Sequence, residues 1–253
     1  MSTFNKYGES LTLIETVKKI DGRWAFVSRK SGKVLTYYDG EGEPSDDWVR
    51  KQERSIQYFS EVNLDKTSTI PKTLAPHVFC DMDGVIADFY AGIKQYFNVS
   101  SSNLNAFLRE EGVWKIIGKK EPRLFAKLPE LPDARQLMTG LETLRKRKLI
   151  RLSILTAIPT EWYADPVLRR VGTVDKIAWV TRRFPQIPAA NVLVVRRKDK
   201  ANYAKAQVAA DQPRSILIDD FSKNIREWDA AGGIGIQHTN SGVSLRALLH
   251  IIR

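Results

Sequence analysis

After Pro76 the chain settles into short apolar runs separated by longer amphipathic stretches, and this alternation constrains the fold more than any other feature. Strands buried on both faces read as continuous apolar runs, and parallel neighbours need a crossover long enough to hold a helix. Runs at 78–80, 152–155, 192–195, 216–218 and 234–236 fit that description. The pattern predicts an α/β fold, a Rossmann-like parallel sheet flanked by helices. Four of the five runs end in residues able to handle a phosphate or a metal ion: Asp81, Thr156, the cluster from Arg196 to Lys200, and Asp219 with Asp220. In open α/β sheets ligands bind beyond the carboxyl ends of the strands, so these groups should converge although they lie far apart in sequence.

The first part of the chain has a different texture. Apolar and polar residues alternate through 11–17, 24–27 and 34–38, with turn signals at Asp21-Gly22, Ser31-Gly32 and Asp39-Gly40. Pro44 and Ser45 precede Asp46 and Asp47, an acidic first turn suited to a helix from Trp48 to about Tyr58. A small β-rich module with one helix is expected over 1–62, a polar linker punctuated by Pro71 and Pro76 over 63–76, and the larger α/β domain over 77–253.

Charge separates the two parts. The formal net charge is +11, yet residues 1–75 hold twelve Lys and Arg against eleven Asp and Glu, so nearly the whole basic surplus lies in the α/β part. A surplus there raises the local concentration of anions such as phosphate esters, nucleic acid included. The run Arg145-Lys146-Arg147-Lys148 at a helix end also suits a solvated face favoured by the helix dipole. The single cysteine, Cys80, excludes an internal disulfide and any multi-cysteine metal cluster. No apolar run approaches the roughly 18 residues of a membrane helix, and the start lacks a basic segment followed by an apolar one. A cytoplasmic protein with no membrane partner is expected. Whether it forms a homo-oligomer is left open.

The densest chemistry lies in Asp81-Met82-Asp83-Gly84. An apolar strand delivers Asp81 to its end, Asp83 follows at the period-two position that shares its side, and Gly84 permits a tight turn. Calcium loops also contain Asp-x-Asp-Gly, but they continue with further oxygen ligands and a closing Glu, whereas Val85 and Ile86 follow here. The paired acids of Asp219-Asp220 repel at a strand end unless a cation lies between them, although Asp220 could instead cap the helix that follows. Thr156 taken alone could be an ordinary turn residue.

Together these segments resemble the haloacid-dehalogenase-like (HAD) hydrolase superfamily from about Val78 to His238. The resemblance implies that Asp81 attacks phosphorus to form an aspartyl-phosphate, and that Asp83 protonates the leaving oxygen and later activates water. It implies that Thr156 and neighbouring amides hold the phosphate, and that Mg2+ is held by the Asp81 carboxylate, the Asp83 backbone carbonyl and Asp219 or Asp220. A cation is needed on electrostatic grounds as well. Two unit charges about 4 Å apart repel by roughly 4 kcal/mol at an effective dielectric near 20, which would slow an unassisted attack by about three orders of magnitude. The motif lysine falls in the 196–200 cluster, with Lys200 favoured and Lys198 as the alternative.

Within the superfamily the chain is most similar to the 5'(3')-deoxyribonucleotidases. The likeness rests on the continuation through Ile86-Ala87-Asp88-Phe89, on Leu124-Phe125-Ala126-Lys127-Leu128-Pro129 followed by Asp133-Ala134, and on Asp175-Lys176-Ile177-Ala178-Trp179-Val180 ahead of Phe184-Pro185. It implies a small helical cap inserted at about 90–132, with Phe89, Trp114 and Phe125 as candidates for an aromatic surface over a base. Each of the three could equally be core packing. Where that family has Thr-Ser in its second motif this chain has Thr156-Ala157, so a hydroxyl near the phosphate is missing. The expected activity is a magnesium-dependent phosphomonoesterase acting on a small phosphorylated substrate, a nucleoside monophosphate. A phosphatase for nucleic-acid ends or another phosphometabolite, and a non-catalytic nucleotide-binding module, are the competing readings.

Overall fold

The computed structural model describes residues 15–28, 34–38, 42–46, 48–49, 75–210 and 212–252. The chain divides into two compact units, Met1–Thr69 and Ile70–Arg253.

The first unit contains an antiparallel sheet of β1 (Glu15–Ile20), β2 (Arg23–Ser28) and β3 (Val34–Tyr37), in that order. Asp21 and Gly22 join β1 to β2 with φ values of 50° and 77°, the left-handed pair that a two-residue hairpin turn requires. β1 therefore runs on through Lys18 and Lys19 to the turn instead of ending at Val17. The Ser45 hydroxyl accepts the Trp48 amide, the cap expected at the start of the helix. The rest of that helix, the start of the 11–17 run, the 31–32 and 39–40 turns and most of the linker lie outside the described residues.

The second unit is built on five parallel strands, β4 (His77–Cys80), β5 (Arg151–Ile158), β6 (Val192–Arg196), β7 (Ile216–Asp219) and β8 (Ile234–Gln237), ordered β6-β5-β4-β7-β8. All five expected runs are strands of this sheet, and the Rossmann-like α/β fold is as read from the sequence. The chain leaves β4 towards β5 and β6, then returns to the other side of β4 for β7 and β8. β4 thus lies at the topological switch point, where a crevice opens at the strand tips. Register sets the tips: Cys80 is level with Ile154 on one side and Ile218 on the other, so Asp81 and Asp219 emerge side by side. One sequence reading needs correction. β5 does not end at Thr156 but continues through Ala157 and Ile158, pairing with Val195 and Arg196, until Pro159 ends it.

Helices pack on this sheet through large buried side chains. Phe79, Leu155 and Leu217, from adjacent strands, pack with Ala204 and with Trp228 of the Ser222–Ala230 helix. Full burial of each large apolar side chain contributes about 1.5–3 kcal/mol. Gly140 in the Ala134–Lys146 helix admits the Ser241–Ile251 helix closely, because a Cβ there would lie 2.7 Å from Leu245. No helix among the described residues is long and apolar enough to cross a membrane.

Four short helices interrupt the β4 to β5 crossover: Phe89–Phe97, Leu104–Arg109, Val113–Lys120 and Leu124–Lys127. Asp88 caps the first through the Ala91 amide. A bridge between Ala87 and Glu130 closes the neck of the insertion, with the Leu131 amide donating to the Ile86 carbonyl. The Trp179 indole donates to the Leu128 carbonyl and the Trp162 indole to the Trp114 carbonyl, each at 2.7 Å. These bonds fix the insertion against the Pro166–Arg183 and Thr160–Ala164 helices.

Candidate active site

A cavity of about 450 Å3 opens at the carboxyl ends of the strands, and Asp81, Asp83, Lys200 and Asp220 line its floor. Asp81 follows β4 and is almost wholly buried. Its Oδ1 accepts the Met82 amide and its Oδ2 the Lys200 ammonium, at 2.7 and 2.8 Å. Burial pushes the Asp81 carboxyl well above the usual carboxylate range and the nearby Asp219 and Asp83 add to the shift, while Lys200 opposes them. Lys200 bridges Asp81 and Asp219, 2.8 Å from each. Although burial works against its charge, those two carboxylates push its pKa upward.

The loop after Asp81 is wound tightly on itself. The Met82 carbonyl accepts the amides of Val85, Ile86 and Ala87, and the Gly84 amide donates to the Ala87 carbonyl. Gly84 has φ 77°, and a Cβ at this position would lie 2.2 Å from Asp220 Oδ2. Glycine is needed here twice over, for the left-handed backbone and for the approach of the Asp220 carboxylate.

Asp219 and Asp220 differ in their surroundings. Asp219 is fully buried, and its carboxylate accepts Lys200, both-oxygen contacts from Asn224 Nδ2 and the Phe221 amide. Asp220 lines the cavity, and the alternative reading of it as a helix cap does not hold: no side chain caps the Ser222–Ala230 helix. The Asp220 carboxyl is pushed up to about 6, by burial first and then by the Asp219 charge. Oxygen atoms of Asp81, Asp219 and Asp220 lie within 4.8 Å of one another. Three hard oxygen donors this close, with carboxyls raised by burial and further by one another's charge, fit a divalent cation.

The other candidates divide. Ala157, Phe89 and Trp114 line the cavity, and the last two stack with ring centroids 5.8 Å apart. Phe125 reaches the cavity wall but is almost wholly buried, packed edge-on against Trp162. Thr156 is fully buried behind the wall, where its Oγ1 accepts Lys176 Nζ at 3.0 Å. Lys198 is exposed and is not among the residues that line the cavity. The physical reason is the 3-10 turn Arg197–Asp199: residues three apart eclipse in such a turn, so Arg197 and Lys200 share the cavity side. Arg197 lines the cavity and is held by Glu227 at 2.7 Å and by Asn224 Oδ1 at 3.1 Å.

Sequence reasoning assigned no individual role to Arg197, Asn224 or Lys176. The signal for Lys176 was present. Gly172, Asp175, Lys176, Trp179 and Val180 follow helical spacing along the buried face of the Pro166–Arg183 helix, so two ionised residues sit in an apolar stripe. Asp175 is matched by Arg123 from the end of the insertion, whose Nε lies 2.9 and 2.8 Å from its two oxygens.

Residues 75–244 match the family of 5' nucleotidase, deoxy (pyrimidine), cytosolic type C protein. The chain belongs to this family. It is a HAD-like hydrolase of phosphoric monoesters of the 5'-nucleotidase type, and the matched residues contain all of β4 to β8 and the carboxylate cluster. No curated protein matches the chain. Among solved structures, a haloacid dehalogenase-like family hydrolase from Xanthomonas campestris is 16% identical, with a TM-score of 0.42 over 70% of this chain and 92% of that one. A hydrolase from Streptococcus pneumoniae is 14% identical, with a TM-score of 0.39 over 70% of this chain and 100% of that one.

Proposed function

We propose that the chain is a magnesium-dependent phosphomonoesterase that dephosphorylates nucleoside monophosphates through an aspartyl-phosphate on Asp81. The observation that carries this reading is the position of Asp81 at the switch point, with Lys200 on one carboxylate oxygen and the Asp219 and Asp220 oxygens within reach of a shared ion. Asp81 forms the new bond to phosphorus as the bond to the ester oxygen breaks, and the proton on Asp83 passes to the departing oxygen. In the second half-reaction water gives its proton to Asp83 and its oxygen to phosphorus, and the Asp81 carboxylate is released.

Bound Mg2+ supplies positive charge that offsets repulsion between the carboxylates and the phosphate. Asp81, Asp220 and the Asp83 carbonyl would hold it. Asp219, whose oxygens are engaged by Lys200, Asn224 and a backbone amide, would orient Lys200 instead. The cavity falls within the ~300–1,000 Å3 range of small-molecule sites, and the stacked Phe89 and Trp114 on its wall suit a nucleobase. Ala157 leaves one phosphate contact fewer than a serine would give.

Phosphate release from deoxynucleoside and ribonucleoside monophosphates, sugar phosphates and 3'-phosphorylated oligonucleotides, with magnesium and with chelator, tests the reading. Magnesium-dependent release fastest from mononucleotides is expected, and lost in a folded Asp81→Asn variant. Unchanged turnover in that variant would remove Asp81 as nucleophile, and faster release from oligonucleotides would transfer the substrate to nucleic-acid ends.

A further inference from the structure

Lys176 is fully buried, and the family reading gives it no task. A lysine ammonium without water costs several kcal/mol unless its hydrogens find partners. Here the partners are specific. Nζ donates to Asp83 Oδ2 in a short ion pair and to Thr156 Oγ1 at 3.0 Å, and lies 4.1 Å from the centre of the Phe125 ring. Asp83 Oδ1, by contrast, is buried with no hydrogen-bond partner among the described residues. One carboxylate oxygen is therefore pinned by Lys176 and the other is enclosed by protein, so the carboxyl has little freedom to turn.

We infer that Lys176 is a positioning residue for the proton donor: by holding Asp83 Oδ2 it fixes the carboxyl at the cavity edge, where it can meet the ester oxygen of the substrate. The inference rests on the function proposed above and adds the residue that orients the acid. In the first half-reaction the proton leaves the Asp83 carboxyl for the ester oxygen as the phosphorus bond passes from that oxygen to Asp81. Lys176 itself neither gains nor loses a proton. Its own position is set from two directions. The Phe125 ring packs against it from the insertion, and the neighbouring Asp175 is clamped by Arg123, also from the insertion, so the insertion and the acid are tied through adjacent residues of one helix.

The test compares two esters that differ in how much they need an acid. A nucleoside is a poor leaving group and requires protonation, whereas p-nitrophenol is acidic enough to depart as its anion. Thymidine 5'-monophosphate and p-nitrophenyl phosphate are hydrolysed with magnesium by the wild-type chain and by Lys176→Met, and kcat/KM is read because it reports transfer to Asp81. A positioned general acid contributes about 100-fold or more, so K176M should lose about 100-fold on the nucleotide and less than about tenfold on the aryl ester. Near-ultraviolet circular dichroism checks that the tryptophan-rich core is intact. Should K176M fail to fold, Lys176→Gln, which keeps a shorter donor, is read by the same ratio and should show the same bias in smaller degree. An equal loss on both esters, or no loss on either, overturns the inference while leaving the proposed function standing. A wild-type chain that hydrolyses neither ester overturns both.

Discussion

The crowding of carboxylates at the strand tips makes Asp220→Asn the sharpest test of the metal assignment, because it predicts a gain in stability and a loss of response in one variant. In the folded chain the Asp220 carboxyl is pushed up from 3.8 to about 6, chiefly by burial and then by Asp219. At about 1.4 kcal/mol per pKa unit, carrying that charge above pH 6 costs the metal-free protein up to about 3 kcal/mol. Solvent at the cavity wall screens part of it, so about 1–2 kcal/mol is the working figure. The sign follows from linkage: a carboxyl raised in the folded state binds its proton more tightly there, so stability falls as pH climbs from about 4 to 6 and stays lower above. With chelator at pH 8, D220N should therefore melt roughly 3–6 °C above the wild type. Magnesium at about 100 times its dissociation constant should raise the wild type by about 2.7 kcal/mol and D220N by little. Differential scanning fluorimetry with and without the ion reads both effects. If metal-free D220N melts at or below the wild type, or if magnesium lifts both equally, the repulsion described here is not what the ion relieves.

Gly84→Ala should cost about 1–2 kcal/mol for a side chain at positive φ, and the clash at 2.2 Å should displace Asp220. A shift of about 1 Å can cost 100-fold in turnover, so kcat/KM for a nucleoside monophosphate should fall by about that factor; wild-type values would mean the close approach is not needed. His77, stacked on Phe79 at 4.0 Å with Nε2 2.9 Å from Ser153 Oγ, has its pKa lowered to about 4 by burial and then by Arg151. A histidine held neutral when folded loses stability as pH falls from about 6.5 towards 4, by up to about 2 kcal/mol at pH 5. Urea midpoints at pH 7.5 and 5 should show that loss in the wild type and not in His77→Gln; equal losses would place the acid sensitivity elsewhere.

The sheet was legible because the central parallel strands β5, β4 and β7 are largely buried and leave no polar face to confuse their apolar runs, and the acids at 81, 83, 219 and 220 stood out at the strand ends. What stayed hidden depended on geometry finer than a run. Thr156 looked like the end of a strand because a hydroxyl interrupts the apolar pattern, yet β5 continues to Ile158 with the hydroxyl turned to Lys176. The choice between Lys198 and Lys200 needed the 3-10 turn at Arg197–Asp199, which no composition signal marks. The division between Asp219 and Asp220 depended on Asn224, five positions beyond Asp219 and read only as part of a helix. Lys176 was hidden for the opposite reason: a lysine on a helix is expected in solvent, and its buried spacing with Trp179 outweighs that expectation only when the stripe is read before the charge.

Charge balance connects these residues to a substrate. Asp81, Asp83, Asp219 and Asp220 meet at one end of the sheet with two buried ammonium groups, Lys176 and Lys200, while Arg197 is already matched by Glu227. Two negative charges remain when all four acids are ionised, and that excess adds to the upward shifts of Asp81 and Asp220, which burial leads. A divalent cation cancels it, after which a phosphate dianion approaches a site near neutrality with an ammonium already in place. The basic surplus of the α/β part therefore does not identify the reacting group, because the site itself is acidic until an ion enters. Surface lysines and arginines can gather anions near the cavity, but the groups that would take phosphorus from an ester are the carboxylates.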